Sequence, residues 1–272
     1  MAPWSIDELH GPDGEDWRVP VGELESRITE LSNNLAEAGI EAALIQSPVD
    51  LYYYAGGRQN GALLIPAVDS AASKEQGGDG ATFFVRRSVE RAKFEAGADD
   101  SCLEIQKFPS LRIFAETLTN MGIDGGIGLQ LGEIPADFGQ KFKNALAPLG
   151  EGKDCTAIVH HQRETKSDWE LEMMREGAKV QRQMFEAVKE SVTPGATELD
   201  LVAAAEEVSR RHGFGGTVQM RRFPLQCDRA VIASGRAGGV PSFFDSAIGG
   251  TGPHPMAGMG SGFTKLEENQ PI

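Results

Sequence analysis

An α/β fold in layers is predicted for the first half of this 272-residue chain, because short apolar runs alternate with helical patterns there. The apolar runs have the length of strands and lie at residues 42–45, 62–65, 82–85 and 102–105. The helical patterns lie at residues 88–96, 111–121 and 138–146. The second half differs, since two helical patterns come first and strand-like and glycine-rich stretches follow.

The chain begins with a stretch of low predicted order. Residues 1–20 contain Gly11-Pro12-Asp13-Gly14 and few apolar side chains, which predicts an unstructured arm. After this arm an amphipathic helix is predicted from apolar residues that recur every three or four positions, namely Leu24, Ile28, Leu31, Leu35 and Ala38. Gly39 is placed to end this helix, and the run at 42–45 follows as a strand.

The composition limits the partners and the compartment. A formal net charge of −14 and a pI near 4.8 disfavour nucleic acid or an anionic membrane as the main partner, because both are negatively charged. Cys102, Cys155 and Cys227 are far apart and odd in number, so neither a disulfide framework nor a zinc ribbon is expected. Since the start has no basic region and no apolar run of about 18 residues occurs, a cytoplasmic protein is expected.

Two clusters in the first half invite a functional interpretation. Tyr52-Tyr53-Tyr54 could form a ligand platform, but the alternation of side chains along a strand favours a half-buried structural strand. His160 and His161 suggest a metal, yet on a strand they would point to opposite sides, and without a third ligand a structural role is favoured. Residues 70–80 have the composition of a surface loop.

A sharp boundary is predicted at residues 163–170. Ser167 and Glu170 form a capping-box pattern, in which both side chains satisfy free N–H groups at a helix start. The helix that follows carries an apolar stripe that we expect to pack on a large surface, and its members are Leu171, Met174, Ala178, Gln181, Phe185 and Val188. Met173 and Met174 are interpreted as core residues.

A second helix is predicted after the turn at residues 192–196. Thr197 with Asp200 forms a weaker capping pair at its start, and Gly213 is placed to end it. Because a short Pro-Gly turn joins the two helices, we expect them to pack side by side.

The stretch after Gly213 is predicted to contain strands at residues 217–223 and 229–233, followed by the glycine-rich residues 234–239. A phosphate-binding loop is rejected, because no GK[ST] ending occurs and no helical pattern begins where the glycines end. The glycines are instead expected to let the backbone turn tightly or come close to a substrate.

His254 is the polar residue of most interest in the loop that follows. It lies between Pro253 and Pro255, so its backbone has limited freedom, which suits a positioned donor or an acid/base group. A surface-loop histidine is an equally good interpretation of these residues alone. Further on, residues 267–270 predict a polar turn, and Pro271-Ile272 read as the first two residues of a buried strand. We therefore expect this chain to be the front part of a larger enzyme.

Taken in order, these features resemble the pita-bread metallopeptidases, a family that includes aminopeptidase P, prolidase and creatinase. The matching features are Lys166-Ser167 with Glu170, residues 194–198 (Pro-Gly-Ala-Thr-Glu), Ser234-Gly235, Pro253-His254 and Asn269-Gln270-Pro271-Ile272. Residues 27–57 resemble the creatinase-type N-terminal domain that precedes the catalytic domain in this family. The resemblance spans about residues 21–272. It implies an α/β creatinase-like domain at residues 21–160, followed at residues 161–272 by an incomplete α+β pita-bread catalytic domain.

The resemblance also implies a metal centre, which would lie beyond this chain. In the family, two divalent ions, commonly manganese, cobalt or zinc, are held by two aspartates, a histidine and two glutamates, and the first aspartate would follow Ile272. No metal ligand or cofactor-binding residue is therefore assigned here, and Asp228 and Asp245 are not promoted as substitutes. His254 is assigned by the resemblance as the catalytic residue that contacts the substrate or the tetrahedral intermediate. The match departs from the usual Pro-His-Tyr, because this chain has Pro-His-Pro.

The function implied is that of a dinuclear metal-dependent Xaa-Pro peptidase, which hydrolyses the peptide bond before proline in short peptides. Without the metal ligands, the chain as given is expected to be inactive. Two alternatives stay open: a creatinase-like amidinohydrolase that cleaves a C–N bond without metal, and a non-catalytic relative that binds proteins. The resemblance further implies a homodimer formed through the N-terminal domain, with no nucleic-acid or membrane partner expected.

Overall fold

The computed structural model describes residues 14–75, 80–216, 230–243 and 248–272. The chain divides into two compact units, Met1–Lys166 and Ser167–Ile272. In the first unit the helices are α1 (Val21–Glu37), α2 (Pro48–Ala55), α3 (Ala71–Glu75), α4 (Val89–Glu95), α5 (Phe114–Asn120), α6 (Ala136–Leu146) and α7 (Thr156–Gln162). The strands are β1 (Ala42–Ile45), β2 (Gly61–Pro66), β3 (Thr82–Val85), β4 (Glu104–Lys107), β5 (Ile127–Leu129) and β6 (Lys153–Asp154).

The six strands form one mixed sheet in the order β4-β3-β2-β1-β5-β6. β2 is antiparallel to both β1 and β3, and the other neighbouring pairs are parallel. Side chains alternate between two apolar cores, so that Ala43 and Ile45 lie in one core while Ala42 and Leu44 lie in the other. Because both faces of the central strands are covered, these strands read as continuous apolar runs in the sequence.

The central strands confirm the predictions, whereas the edge strand does not. β1 and β3 have the predicted bounds, and β2 extends the predicted run by one residue at each end. The strand predicted at residues 102–105 lies instead at Glu104–Lys107, where the side chains are exposed or half-buried. An edge strand can hold polar side chains, so β4 begins two residues later than the apolar run and ends on Gln106 and Lys107.

The prediction of a strand at the tyrosine run is wrong, because Tyr52, Tyr53 and Tyr54 all lie in helix α2. Pro48 occupies the first turn of α2, where its missing N–H costs nothing, and Gly56 adopts a left-handed conformation just after the helix. Tyr54 is fully buried, and its hydroxyl donates to Gln162 Oε1 at 2.8 Å. Burial raises the pKa of Tyr54 well above its usual value, so the hydroxyl keeps its proton.

The argument from an extended strand does not apply to the histidine pair, since His160 and His161 lie in α7. His160 Nε2 lies 2.7 Å from Glu133 Oε1, and His161 is exposed and lies 3.3 Å from Glu164. The stretch predicted as a surface loop at 70–80 contains α3 in its described part, with Ala72 buried against the sheet. Ser70 starts this short helix, and its hydroxyl accepts from Ser73 N at 3.2 Å.

The second unit contains α8 (Asp168–Ser191) and α9 (Glu198–Arg211), which pack along each other as predicted. Both predicted capping boxes are confirmed. At α8, Glu170 N donates to Ser167 Oγ at 3.1 Å, and Ser167 N donates to Glu170 Oε2 at 2.9 Å. At α9, Thr197 and Asp200 make the same reciprocal pair. Gly213, with φ of +88°, follows the end of α9.

The apolar stripe of α8 is not covered by the residues that the structure describes. None of the α8 residues is buried; Met174 is 60% exposed and Phe185 is 62% exposed. The interpretation of Met173 and Met174 as core residues is therefore wrong for this chain. A largely apolar groove of about 590 Å³ runs along α8 beside residues 230–233, and Phe185, Val188 and Ile272 contribute to its walls.

The remaining predictions fall on irregular backbone or outside the described residues. The strand predicted at 217–223 lies outside them, as do Arg229, Cys227, Asp228 and Asp245. Residues 230–233 are described and are not in a strand. Two short 3₁₀ helices follow, Gly235–Gly239 and Pro255–Ala257, and an isolated antiparallel bridge joins Thr197 to Lys265.

Candidate functional site

His254 is exposed and lies in a loop of irregular backbone, residues 249–262, which we call the His254 loop. Its backbone is fully extended, with φ of −167° and ψ of 166°, and it immediately precedes the short helix Pro255–Ala257. The carbonyl of His254 accepts from Ala257 N at 2.9 Å. The ring of Pro255 restricts the backbone of His254 to this extended region.

Backbone hydrogen bonds close the His254 loop on itself. Gly252 N donates to Gly260 O at 3.0 Å, and Gly260 N donates to Gly249 O at 2.9 Å. Gly250 N donates to Val240 O at 2.9 Å, which joins the loop to the segment before it. The loop is therefore a folded unit of the backbone whose ends lie close together.

Two glycines of the His254 loop are required by its geometry. Gly252 has φ of +62°, and a Cβ there would lie 1.7 Å from the carbonyl oxygen of Ala257. Gly250 has φ of +112°, and its Cβ would lie 2.2 Å from the oxygen of Gly260. At both positions the backbone can turn this tightly only because glycine has no Cβ.

The earlier glycine run, residues 234–239, forms the 3₁₀ helix Gly235–Gly239 rather than a phosphate loop. Gly235 has φ of +53°, and its N–H donates to Pro271 O at 2.9 Å. A Cβ at Gly235 would lie 2.6 Å from Gln270 Oε1. This backbone amide is thus occupied by a protein carbonyl.

Glu198, the first residue of α9, holds together the segments at the base of the His254 loop. Its side chain is 0% exposed, and Oε1 accepts from Ser234 N at 2.6 Å. Oε2 accepts from Gly262 N at 2.7 Å, and the backbone N–H of Glu198 donates to Thr264 O at 3.0 Å. No local sequence pattern marks Glu198 as a buried residue, because its partners are distant along the chain.

Ser261 adds a second link at the same base. Its hydroxyl is buried, accepts from Ile232 N at 2.8 Å and donates to Ile232 O at 2.6 Å. Three segments, residues 195–198, 230–235 and 260–271, therefore meet beside the start of α9 and support the His254 loop.

The described residues do not supply a metal centre. Within ranges 14–75, 80–216, 230–243 and 248–272, no group of three or more His, Cys, Asp or Glu side chains is placed to hold an ion. The carboxylate of Glu198 is occupied by two backbone N–H donors. The donor set of two aspartates, a histidine and two glutamates that the resemblance implies therefore does not fit the residues described.

A second polar network lies in the first unit, where β1 and β5 end. Asp50 is 1% exposed, and its carboxylate accepts from Arg163 Nη1 and from Gln130 Nε2, both at 2.6 Å. Gln130 Oε1 accepts from the backbone N–H groups of Gln46 and Ser47, at 2.7 and 2.9 Å. Since parallel strands end at the same sheet edge, this network fixes the loops there.

The nearby cysteine is inert in this environment. Cys155 is fully buried, and burial raises the pKa of its thiol to about 12. A thiol of this kind is protonated at neutral pH and is neither a nucleophile nor a metal ligand.

In the described parts of the chain, no helix is both long and apolar enough to span a bilayer.

Comparison with known proteins gives a consistent set of relatives. The sequence matches the Creatinase/Prolidase N-terminal domain over residues 27–165, just over half of the chain. An Xaa-Pro dipeptidase of Pyrococcus furiosus is 24% identical over 193 residues, which are 70% of this chain and 49% of that protein. An uncharacterised hydrolase/peptidase of Sinorhizobium fredii is 36% identical over 94 residues, which are 34% of this chain and 24% of that protein.

A solved structure agrees with these relatives in fold. The Xaa-Pro dipeptidase from Bacillus anthracis superposes with a TM-score of 0.67 at 18% identity, covering 91% of this chain and 59% of that one. The chain thus spans half or less of the length of these two curated relatives and about three-fifths of the solved structure.

Proposed function

The chain belongs to the creatinase/prolidase N-terminal domain family, and we propose that it forms the N-terminal portion of a dinuclear metal-dependent Xaa-Pro peptidase. The first part of the chain has the α/β creatinase-type fold that the sequence predicted. The solved structure that it resembles in fold is an Xaa-Pro dipeptidase, and prolidases of this kind are pita-bread enzymes. One observation carries the proposal: the likeness to an Xaa-Pro dipeptidase extends over 91% of this chain and so includes the unit with His254.

The relatives are longer than this chain, which supports placing the metal-binding role in a part of the enzyme that this chain does not cover. The chain covers 49% of one dipeptidase and 59% of another. We propose that the metal-binding residues belong to the part of the relatives that this chain does not cover. The names of the relatives favour the peptidase over the creatinase-like amidinohydrolase, because both are Xaa-Pro dipeptidases.

His254 is proposed to contact the substrate or to stabilise the tetrahedral intermediate. Its exposure leaves the imidazole accessible, and the closed backbone of the His254 loop limits where it can lie. An imidazole N–H can donate a hydrogen bond to the oxygen that becomes negative when a peptide carbonyl is attacked. The two divalent ions proposed for the whole enzyme would supply the activated hydroxide, and among the described residues no group of three or more His, Cys, Asp or Glu side chains is placed to hold them.

Metal binding and hydrolysis by the purified 272-residue chain test this proposal. We expect no stoichiometric binding of manganese, cobalt or zinc and no cleavage of an Xaa-Pro dipeptide, because the proposed ligands lie outside the chain. Metal content is measured by elemental analysis after gel filtration, and cleavage by release of proline. Metal-dependent turnover by this chain alone would contradict the proposal.

The coding sequence after residue 272 gives an independent test. We expect this coding sequence to continue into a strand that contains the first metal-binding aspartate. A stop codon directly after Ile272 would contradict the peptidase and favour the non-catalytic binding role.

The assembly and compartment are proposed with the function. We propose a cytoplasmic homodimer that forms through the first unit and acts on short proline-containing peptides, with no nucleic-acid or membrane partner. Light scattering on the purified chain measures its mass directly, and a mass of one chain across micromolar concentrations would contradict the dimer.

A further inference from the structure

Glu198 is a charged side chain in an unusual setting. It is 0% exposed, and its two carboxylate oxygens accept from two different backbone amides, Ser234 N and Gly262 N. A buried carboxylate is costly unless it is fully hydrogen-bonded, and bonds to an ionised acceptor are stronger than bonds between neutral groups. Its retention in the interior therefore requires both amides to stay in place.

The two donors come from separate segments of the chain. Ser234 is 36 residues from Glu198 and directly precedes the helix Gly235–Gly239, whereas Gly262 is 64 residues away and ends the His254 loop. The side chain of Glu198 therefore joins two segments that are far from it and from each other along the chain.

Helix α9 gives Glu198 a rigid position. Glu198 follows the N-cap Thr197, in the first turn, where the helix dipole favours a negative charge. Leu201, Val202 and Ala205 bury one face of the same helix. The carboxylate is therefore fixed by the helix, and the two loop amides are aligned to it.

We propose that Glu198 is the positioning residue of the His254 loop. Its carboxylate sets the positions of Ser234 and Gly262, and Ser261, next to Gly262, fixes Ile232 at the same base. Glu198 touches no substrate in this role, because it is fully buried, and it acts through the backbone that carries His254. The anchoring rests on the contacts alone, whereas its importance for catalysis rests on the proposed function.

Glu198→Gln tests the anchoring with the smallest change of shape. A glutamine oxygen can accept one of the two amides, but its NH₂ group would face the other N–H donor. In this variant we expect hydrogen exchange at the amides of Ser234 and Gly262 to become roughly ten- to a hundredfold faster. We also expect the ring resonances of His254 to shift in the NMR spectrum, which shows that the effect reaches the loop.

The matched control is Glu207→Gln, an exposed residue on the same helix. It is expected to leave both amides and the His254 ring unchanged. Glu198→Asp keeps the charge on a shorter side chain and is expected to restore part of the protection. Exchange within about threefold of the unmodified chain in Glu198→Gln, or an unshifted His254 ring, would overturn the proposal.

A measurement on the unmodified chain covers the case in which Glu198→Gln does not fold. A scalar coupling across the hydrogen bond, between the Gly262 amide nitrogen and the Glu198 carboxylate carbon, is expected if the bond exists in solution. Absence of that coupling in a spectrum that resolves couplings within α9 would overturn the anchoring. None of these measurements uses peptide hydrolysis, so their failure is distinct from failure of the proposed function.

Discussion

Asp50 and Glu198 are both fully buried carboxylates, but their surroundings hold them in different ways. Asp50, in the first unit, is held by the side chains of Arg163 and Gln130, one of which carries a positive charge. Glu198, in the second unit, is held by the backbone amides of Ser234 and Gly262. The first arrangement balances charge with charge, and the second balances charge with the dipoles of the backbone.

Side-chain partners and backbone partners give the two carboxylates different structural roles. The direct partners of Asp50 are side chains that a substitution can remove one at a time, and the backbone enters this network only through Gln130. The partners of Glu198 exist in any sequence that follows the same backbone path. Glu198 therefore specifies the path of the backbone, whereas Asp50 specifies which side chains can lie beside it.

The largest effect is expected from Arg163→Met. This substitution leaves Asp50 buried without its cation, and we expect the first unit to lose about 3 kcal/mol of unfolding free energy. Asp50→Asn in the same chain removes the uncompensated charge and is expected to recover part of the loss. Urea unfolding of the single and double variants gives the coupling energy.

The control for that cycle is Arg211→Met, which breaks the exposed pair with Glu207. It is expected to change stability by less than about 1 kcal/mol. If Arg163→Met cost no more than this control, the charge of Asp50 would not depend on Arg163, and the contrast with Glu198 would be lost.

An intermediate effect is expected from Glu198→Gln on stability. One backbone amide loses its acceptor, so we expect the second unit to lose about 2 kcal/mol, while the first unit is unaffected. Exchange of the slowest amides in each unit measures the two stabilities separately. Equal losses in both units would show that Glu198 is not a local anchor.

The smallest effect is expected at Asp154, an exposed carboxylate that accepts from one side-chain hydroxyl and two backbone N–H groups. Burial opposes its ionisation, but hydrogen bonds from the Thr156 hydroxyl and from the N–H groups of Thr156 and Leu131 lower the pKa of Asp154. A carboxylate with a lowered pKa adds stability above its unfolded pKa of about 3.9, and that stability is lost as the pH falls through the folded value.

Asp154→Asn is therefore expected to reduce the fall in melting temperature of the first unit between pH 5 and pH 3. The comparison is made by thermal unfolding of both proteins across that pH range. An identical acid sensitivity in the two proteins would show that the lowered pKa contributes nothing measurable.

The sequence predicted those parts of the fold whose signals are local. The capping boxes at Ser167 and Thr197 use residues three positions apart, so their pattern is visible without the fold. β1 and β3 were predicted because both of their faces are buried, which produces an apolar run. The tyrosine helix had a signal too, since Ser47-Pro48 and Gly56 are typical of a helix start and a helix end, but the tyrosine run was interpreted as a half-buried strand.

The candidate site was less predictable, because its geometry depends on distant contacts. His254 was identified from its prolines and from the resemblance, and the structure places it on an exposed loop. Glu198 carries no local sign of burial, since a glutamate in the first turn of a helix is ordinarily exposed. Its carboxylate is bonded by Ser234 and Gly262, which are 36 and 64 residues away, and the periodicity of a sequence carries no information on contacts at such distances.

The edges of the sheet in the first unit bear on how copies of this chain can meet. β6 has only two residues, Lys153 and Asp154, both exposed, and β4 presents Glu104 and Lys107 to solvent. Short, charged border strands discourage the addition of further strands from another molecule. A continuous sheet across two subunits is therefore disfavoured, and contacts between copies are expected to use surfaces other than these two sheet edges.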